Sequence, residues 1–284
     1  MTHTDEPAGD YYVSPRYLAG STVVGDPGLQ PALDAGWKPS WDDHGNVFLP
    51  APDQRVRIGY MPEGDDDALW KISAYQHHFG APRWAAAFND KAPTEFVTAF
   101  TSQLVAAYQR DDGSDLRGPG GGVLRAFGPL LKAGWTTHIE PGRTNLTSPD
   151  GLAGAWYDHG PLDQERELVT NDTRWGIWGG PERSYSSWYA VFSSRTPVDL
   201  IAATVTAVVN PAPVLRWEGE LSQMTKRHAQ LTPVVPPRPP APSPLDLARF
   251  RTPPTARPSS VRRWSTTTVP GARLPAPARP AARR

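Results

Sequence analysis

Three groups of residues in this chain have types that catalysis or metal binding would need. His77 and His78 adjoin, with Asp65, Asp66 and Asp67 shortly before them, a nitrogen and oxygen donor set that suits a metal ion. Adjacent side chains on an extended segment point to opposite sides, so one ion reaches both imidazoles only across a bent backbone, and no metal is expected there. Pro52-Asp53 returns as Pro149-Asp150, which pairs two carboxylates as a candidate acid and base. The competing and preferred reading is a turn in which each aspartate caps its own backbone. Gly118-Pro119-Gly120-Gly121-Gly122 has the glycine content of a phosphate cradle. It lacks a following Lys-Ser/Thr pair and contains a proline, which suits a linker between domains.

The remaining routes to chemistry close quickly. There is no cysteine, which excludes disulfides, thiolate catalysis and cysteine-ligated zinc. No Gly-x-Ser-x-Gly elbow is present, and no histidine stands in register in both halves of the chain to act as a general base. No catalytic residue, metal ligand or cofactor is assigned from these patterns.

What must position any site is an internal repeat. Ala35-Gly36-Trp37 returns as Ala133-Gly134-Trp135, Tyr60 as Tyr157, Trp70-x-Ile72 as Trp175-x-Ile177, and Trp84-x-Ala86-x-Phe88 as Trp188-x-Ala190-x-Phe192. Leu29, Ala32 and Leu33, and again Phe127, Leu130 and Leu131, have helical spacing and stop at a glycine. Val56, Ile58 and Tyr60, then Trp70, Ile72 and Ala74, then Trp84, Ala86 and Phe88 alternate as half-buried strands do. Pro93 and Pro197 each open an amphipathic stretch, and Thr196 with Asp199 has capping-box spacing. Each copy is therefore expected to be α+β: a short helix, an antiparallel meander, and a longer helix, with the helices on one sheet face.

Positions shared by both copies belong to the fold, so divergent outward positions are where function is sought. In the first copy the outward face carries Arg55, Arg57, Lys71 and Ser73, which is basic and reads as solvated. In the second it carries Leu152, Gly154, Trp156, Trp178 and Tyr189, apolar where a solvent face is polar. Such a surface is expected to be covered. It packs against the first copy or a symmetry mate, or it is an aromatic platform for a ligand, a peptide or single-stranded nucleic acid, flanked by the first copy's Arg55, Arg57 and Lys71.

The charge is divided as sharply as the faces. Residues 232–284 hold ten arginines against one aspartate, +9, and fourteen of the 33 prolines, so the rest of this formally neutral chain carries −9. The tail cannot bury a core and is expected to be disordered, a tether or a weak electrostatic contact for nucleic acid or an acidic partner. The acidic start is unlike a secretory signal, and Leu200–Val209 is too short to span a bilayer, so a cytoplasmic protein with no membrane contact is expected.

Val13-Ser14-Pro15-Arg16-Tyr17-Leu18-Ala19-Gly20, the two Ala-Gly-Trp turns, Ser148-Pro149-Asp150 and the Trp-bearing strands before the Pro-initiated helices resemble the SPDY domains of actinomycetes, domain of unknown function 317. The resemblance spans roughly residues 13 to 216 and implies tandem copies, and it carries over no site. The first copy has Ala51-Pro52-Asp53-Gln54 where the second has Ser148-Pro149-Asp150-Gly151. The expected layout is a flexible start at 1–12, repeats at 13–110 and 123–216 around a linker at 111–122, a short helix or connector at 217–231, and the tail. A non-catalytic binding or scaffolding protein of the bacterial cytoplasm is expected. The alternative is an enzyme with a pocket between the copies holding Asp53, Asp150 or His77.

Overall fold

The computed structural model describes residues 9–22, 25–64, 67–77, 79–110, 116, 122–163, 166–167, 173–180 and 187–234. Asp65, Asp66, His78, the glycine run up to Gly121 and the tail from 235 lie outside the described residues. The first repeat runs through helix α1 (Asp26–Asp34), strands β2 (Ser40–Trp41), β3 (Val47–Pro50), β4 (Val56–Tyr60), β5 (Trp70–Tyr75) and β6 (Pro82–Phe88), and helix α2 (Thr94–Arg110). The second repeats the order with α3 (Val123–Lys132), β7 (Thr136–Glu140), β8 (Arg143–Thr147), β9 (Ala153–Asp158), β10 (Trp175–Gly179), β11 (Trp188–Phe192) and α4 (Val198–Val208).

The repeated Ala-Gly-Trp marks one backbone device used twice. Gly36 and Gly134 both adopt φ 82°, the left-handed conformation that ends a helix at least cost in glycine. The Trp37 N–H then donates back to the Ala32 carbonyl and the Trp135 N–H to the Leu130 carbonyl, at 3.0 and 3.1 Å. Both tryptophans are buried, so the turn that satisfies the helix end also drives an indole into the core.

The repeats do not form two separate domains. Strands β6 and β11 pair antiparallel, Phe88 with Ala190, Ala87 with Val191 and Ala86 with Phe192, which fuses two five-stranded meanders into one sheet ordered β2-β3-β4-β5-β6-β11-β10-β9-β8-β7. The pairing exchanges equivalent residues, so a pseudo-two-fold axis passes between Ala87 and Val191. The relative pose of the two copies, which the sequence left open, is set by this pairing, because each copy ends its meander on a strand whose outer edge is unpaired until its twin fills it.

One layer of helices covers one face of this sheet. α1 packs on α2, α2 on α4 and α4 on α3. Phe88, Phe100 and Phe192 meet near the axis, with Phe100 stacked on Phe192 at 5.8 Å and edge-on to Phe88 at 5.7 Å. Burying each such ring is worth about 2–3 kcal/mol of transfer free energy, which makes the junction part of the core. Thr196 and Asp199 do not form the expected capping box. The Thr196 hydroxyl donates across the junction to the Ala85 carbonyl at 3.2 Å, and Asp199 pairs with Arg125 of α3 at 2.7 Å.

The chain ends close a second, smaller sheet. Strand β1 (Asp10–Ser14) lies between β12 (Val214–Trp217) and β13 (Gln230–Pro233), with helix α5 (Gln223–His228) in the connection. Residues 10–12, placed in the flexible start by sequence, are thus paired strand, and 217–231 holds parts of two strands as well as the helix. Arg216 ties this sheet to α2. Its guanidinium, almost wholly buried, forks onto Glu95 at 2.7 and 2.8 Å and donates to the Gly20 carbonyl.

Among the described residues no helix is long and apolar enough to cross a membrane.

Candidate partner-binding face

The sheet face opposite the helices carries no helix among the described residues, and the register shows what lies on it. One cross-strand row runs Ser40, Phe48, Gly59, Lys71, Ala87, Val191, Gly176, Trp156, Asn145, His138. In the second repeat Trp156 stands opposite Gly176, and Trp178 opposite Gly154. These four residues form a checkerboard in which each indole lies on the facing glycine, because a Cβ at either glycine would penetrate the ring above it. The Gly-x-Trp pattern of both strands, 154–156 and 176–178, is the sequence signal for this plate. Antiparallel pairing in this register is what makes it flat.

Around the plate the side chains are held in place. Tyr189 pairs with Trp178 and donates its hydroxyl to Asp67 at 2.5 Å, a bond between the repeats. Arg143 of β8 approaches the Trp156 ring at 5.9 Å and bonds Asp158 at 3.3 Å. The Asp158 carboxyl is held below the usual range, first by the Gly160 N–H and then by Arg143 and Arg174. Leu152, expected on this face, packs instead against the main core, since the turn through Asp150 and Gly151 rotates it off the strand.

The basic residues of the first repeat share the face without touching the plate. Arg57 and Lys71 are exposed, and Arg57 stacks on the Tyr75 ring at 4.6 Å. Arg83 of β6 donates to Gln76 at 3.0 Å. Arg55 sits in the turn before β4 and is paired with Asp53 at 3.7 Å. Between the basic and aromatic halves lie Ala85, Ala87 and Val191. The first repeat therefore extends the face edge to edge and does not cover it, which removes packing of the first copy onto the second copy's aromatic face. Arg143, Tyr75 and Arg83 are additions that periodicity within one strand could not single out.

The two aspartates do turn work. Asp53 accepts from the Arg55 N–H at 3.1 Å and Asp150 from the Leu152 N–H at 3.0 Å. Both Asp150 oxygens are engaged, Oδ1 by the Ser148 hydroxyl at 2.5 Å and Oδ2 by the Tyr17 hydroxyl at 2.9 Å. Burial pushes the Asp150 carboxyl up, but the hydrogen bonds from Ser148, Leu152 and Tyr17 outweigh it and leave the group below its usual range. Burial, reinforced by Asp150, pushes the Tyr17 phenol far above the ordinary tyrosine value. A phenol held protonated beside a fully engaged carboxylate is a structural latch, the reverse of an activated acid and base.

Three surface cavities lie elsewhere. A groove of about 600 Å³ runs between α1 and α2, a cavity of about 430 Å³ is lined by Tyr60, Asp90, Lys91 and Glu220, and one of about 170 Å³ by Tyr17, Trp135 and Val208. None of these three is lined by Asp53, Asp150 or His77. No group of three or more His, Asp or Glu able to hold a metal ion occurs among the described residues.

No curated protein and no solved structure matches the chain. Residues 51–109 and 147–214 match one family model, SPDY, described as Domain of unknown function (DUF317). The first segment runs from the Pro-Asp turn to the end of α2, and the second runs from the Ser-Pro-Asp turn through α4, so the matches and the pseudo-two-fold halves agree: each half of the chain holds one segment that matches the SPDY model, consistent with tandem SPDY domains.

Proposed function

We propose that this chain is a non-catalytic binding or scaffolding protein of the bacterial cytoplasm, and that its contact surface is the sheet face opposite the helices, centred on Trp156, Trp178 and Tyr189. The observation that carries this reading is the plate itself. Two large indoles are laid flat on glycines at the outward side of a sheet, where the first repeat has Arg57, Gly59, Lys71 and Ser73 at the same four places. A fold that needs only its core filled has no use for that exchange, and partner surfaces are enriched in such rigid aromatics. The absence of cysteine fits a reducing compartment. The basic tail suits an electrostatic attachment of the same assembly, from its ten arginines.

Hydroxyl-radical footprinting of the full chain, alone and in an extract of the native host, tests this. Trp156 and Trp178 are expected to oxidise in the isolated chain and to be protected in the extract. Trp41, 64% exposed at the sheet edge, serves as the reference that stays reactive in both. Equal oxidation of Trp156 and Trp178 under the two conditions overturns the reading.

A further inference from the structure

We infer that the free edge of β7 is where a second copy of this chain adds to the sheet, the two β7 strands pairing antiparallel about a two-fold axis at His138. This edge is distinct from the aromatic face, and the inference does not depend on the reading of that face.

The direction of the hydrogen bonds along the hairpin shows what the edge offers. The Ser148 N–H bonds the Ala153 carbonyl and the His159 N–H bonds the Gly142 carbonyl, so even-numbered positions of the β8 segment turn their backbone groups to β9. The odd ones, Arg143, Asn145 and Thr147, therefore bond Glu140, His138 and Thr136 of β7. Thr137 and Ile139 are left with N–H and C=O directed away from the sheet, and no described residue takes them up. All of β7 is exposed on both faces.

Pseudo-symmetry shows that the fold does not require such an edge. The opposite outer strand, β2, has only two residues, and Pro39 stands before it where β7 has Thr137, each two places after the tryptophan of Ala-Gly-Trp. Shortness and a proline whose missing N–H would point outward are ways in which sheets guard an edge. β7 has neither, and it carries no lysine or arginine. The helix beside it diverges in the same sense, since Leu124 of α3 takes the place of Asp26 in α1. Leu124 and Leu131, two turns apart on one side of α3, are 78% and 40% exposed, and Ile139 is 74% exposed.

The strand complements itself. With His138 on the axis, Thr137 of each copy faces Ile139 of the other and Thr136 faces Glu140, which pairs β-branched side chains and keeps the two carboxylates apart. Both strands are already held by β8, so pairing orders no new chain, whereas an incoming peptide would have to be straightened. Peptide addition also draws its specificity from pockets beside the edge, and none of the three cavities described above is lined by a β7 residue. The chain already joins its own halves by antiparallel pairing of equivalent strands, β6 and β11. Five residues a side make a small contact, so the dimer is weak and forms towards the upper end of a range from about 1 µM to about 1 mM.

The test is sedimentation equilibrium of the full chain over that range, with a cross-linking arm. The mass is expected to rise from one chain towards two. Thr137→Pro supplies the residue that the first repeat has at this place and removes an outward N–H without touching the β7–β8 bonds. It is expected to hold the mass at one chain with an unchanged circular dichroism spectrum. Ile139→Lys is expected to do the same, and Trp41→Lys on β2 to leave the rise intact. Because the chain has no cysteine, His138→Cys supplies a single thiol that meets its twin across the axis, with Cα atoms about 4.5 Å apart and within disulfide reach. Mild oxidation is expected to link H138C into covalent dimers and to leave Ser40→Cys, the equivalent place on β2, mostly single. A wild type that keeps the mass of one chain throughout overturns the inference. So does a rise that survives both T137P and I139K, which assigns it to another surface, or equal cross-linking of H138C and S40C. If T137P fails to fold, I139K and the cross-linking decide. H138C that links to a different chain in an oxidised extract of the native host, and not to its twin, assigns the edge to another protein's strand and also overturns the inference.

Discussion

The indole N–H of Trp188 donates to the carbonyl oxygen of Tyr17 at 2.8 Å, joining the last strand of the second repeat to the segment that leads into the first. Its pseudo-symmetric counterpart, Trp84, donates to the carbonyl of Leu116 at the same distance, and Leu116 belongs to the segment that leads into the second repeat. Each repeat thus closes its core with the other's leader. With β6 and β11 sharing an edge and α2 packed on α4, the repeats are halves of one folding unit.

Separated halves are therefore expected not to fold. Residues 1–110 and 111–234 produced singly should be unfolded or aggregated by circular dichroism, because each exposes a full sheet edge and the apolar side of α2 or α4. The intact chain should unfold in one transition. In the same frame Trp188→Phe leaves the Tyr17 carbonyl buried without its donor, and denaturant unfolding should show a loss of about 1–3 kcal/mol. Independent folding of either half would contradict the exchange.

The plate makes a sharper demand on glycine. Gly176→Ala puts a methyl group into the Trp156 ring, and backbone on an inner strand cannot retreat. A loss of about 1–3 kcal/mol is expected in chemical denaturation, with a red-shifted tryptophan emission as the indole is pushed into water. Gly142→Ala, in the β7–β8 turn, meets no neighbouring atom and costs only its positive φ, so it should leave the emission unchanged.

The Tyr17–Asp150 latch makes stability depend on pH at both extremes. The Asp150 carboxyl is lowered in the folded chain, so its contribution is present above the ordinary carboxylate range and is lost as pH falls through the folded value. The Tyr17 phenol is raised, so its contribution is full below the ordinary tyrosine value near about 10 and is lost as pH climbs beyond it. Tyr17→Phe should cost about 1–2 kcal/mol at neutral pH and flatten the alkaline fall in melting temperature. An unchanged alkaline profile would assign that fall to other groups.

For the Arg216–Glu95 fork the two single variants should differ. Glu95→Ala strands a guanidinium that is almost wholly buried and should cost about 3–5 kcal/mol. Arg216→Ala leaves a carboxylate that is 30% exposed and can rehydrate, so a smaller loss of about 1–3 kcal/mol is expected by thermal or denaturant unfolding. The reverse order would show that solvent reaches Arg216.

Much of this architecture was legible in the chain before any tertiary contact was known. The repeat, the α+β order within it, the glycine-closed helices at Gly36 and Gly134, and the aromatic character of Trp156, Trp178 and Tyr189 follow from local rules, because spacing and backbone preference act within a few residues. What needed the folded molecule was everything set by partners distant in sequence. The pairing of Ala87 with Val191, the loan of Tyr17 to Trp188 and the setting of Trp156 over Gly176 depend on register between strands, and register is fixed by edges and cores that no single strand contains. For the same reason Leu152 reads outward by alternation and packs inward in fact. The aromatic face began as a property of one repeat, and pairing through β6 and β11 made it half of a surface whose other half is basic.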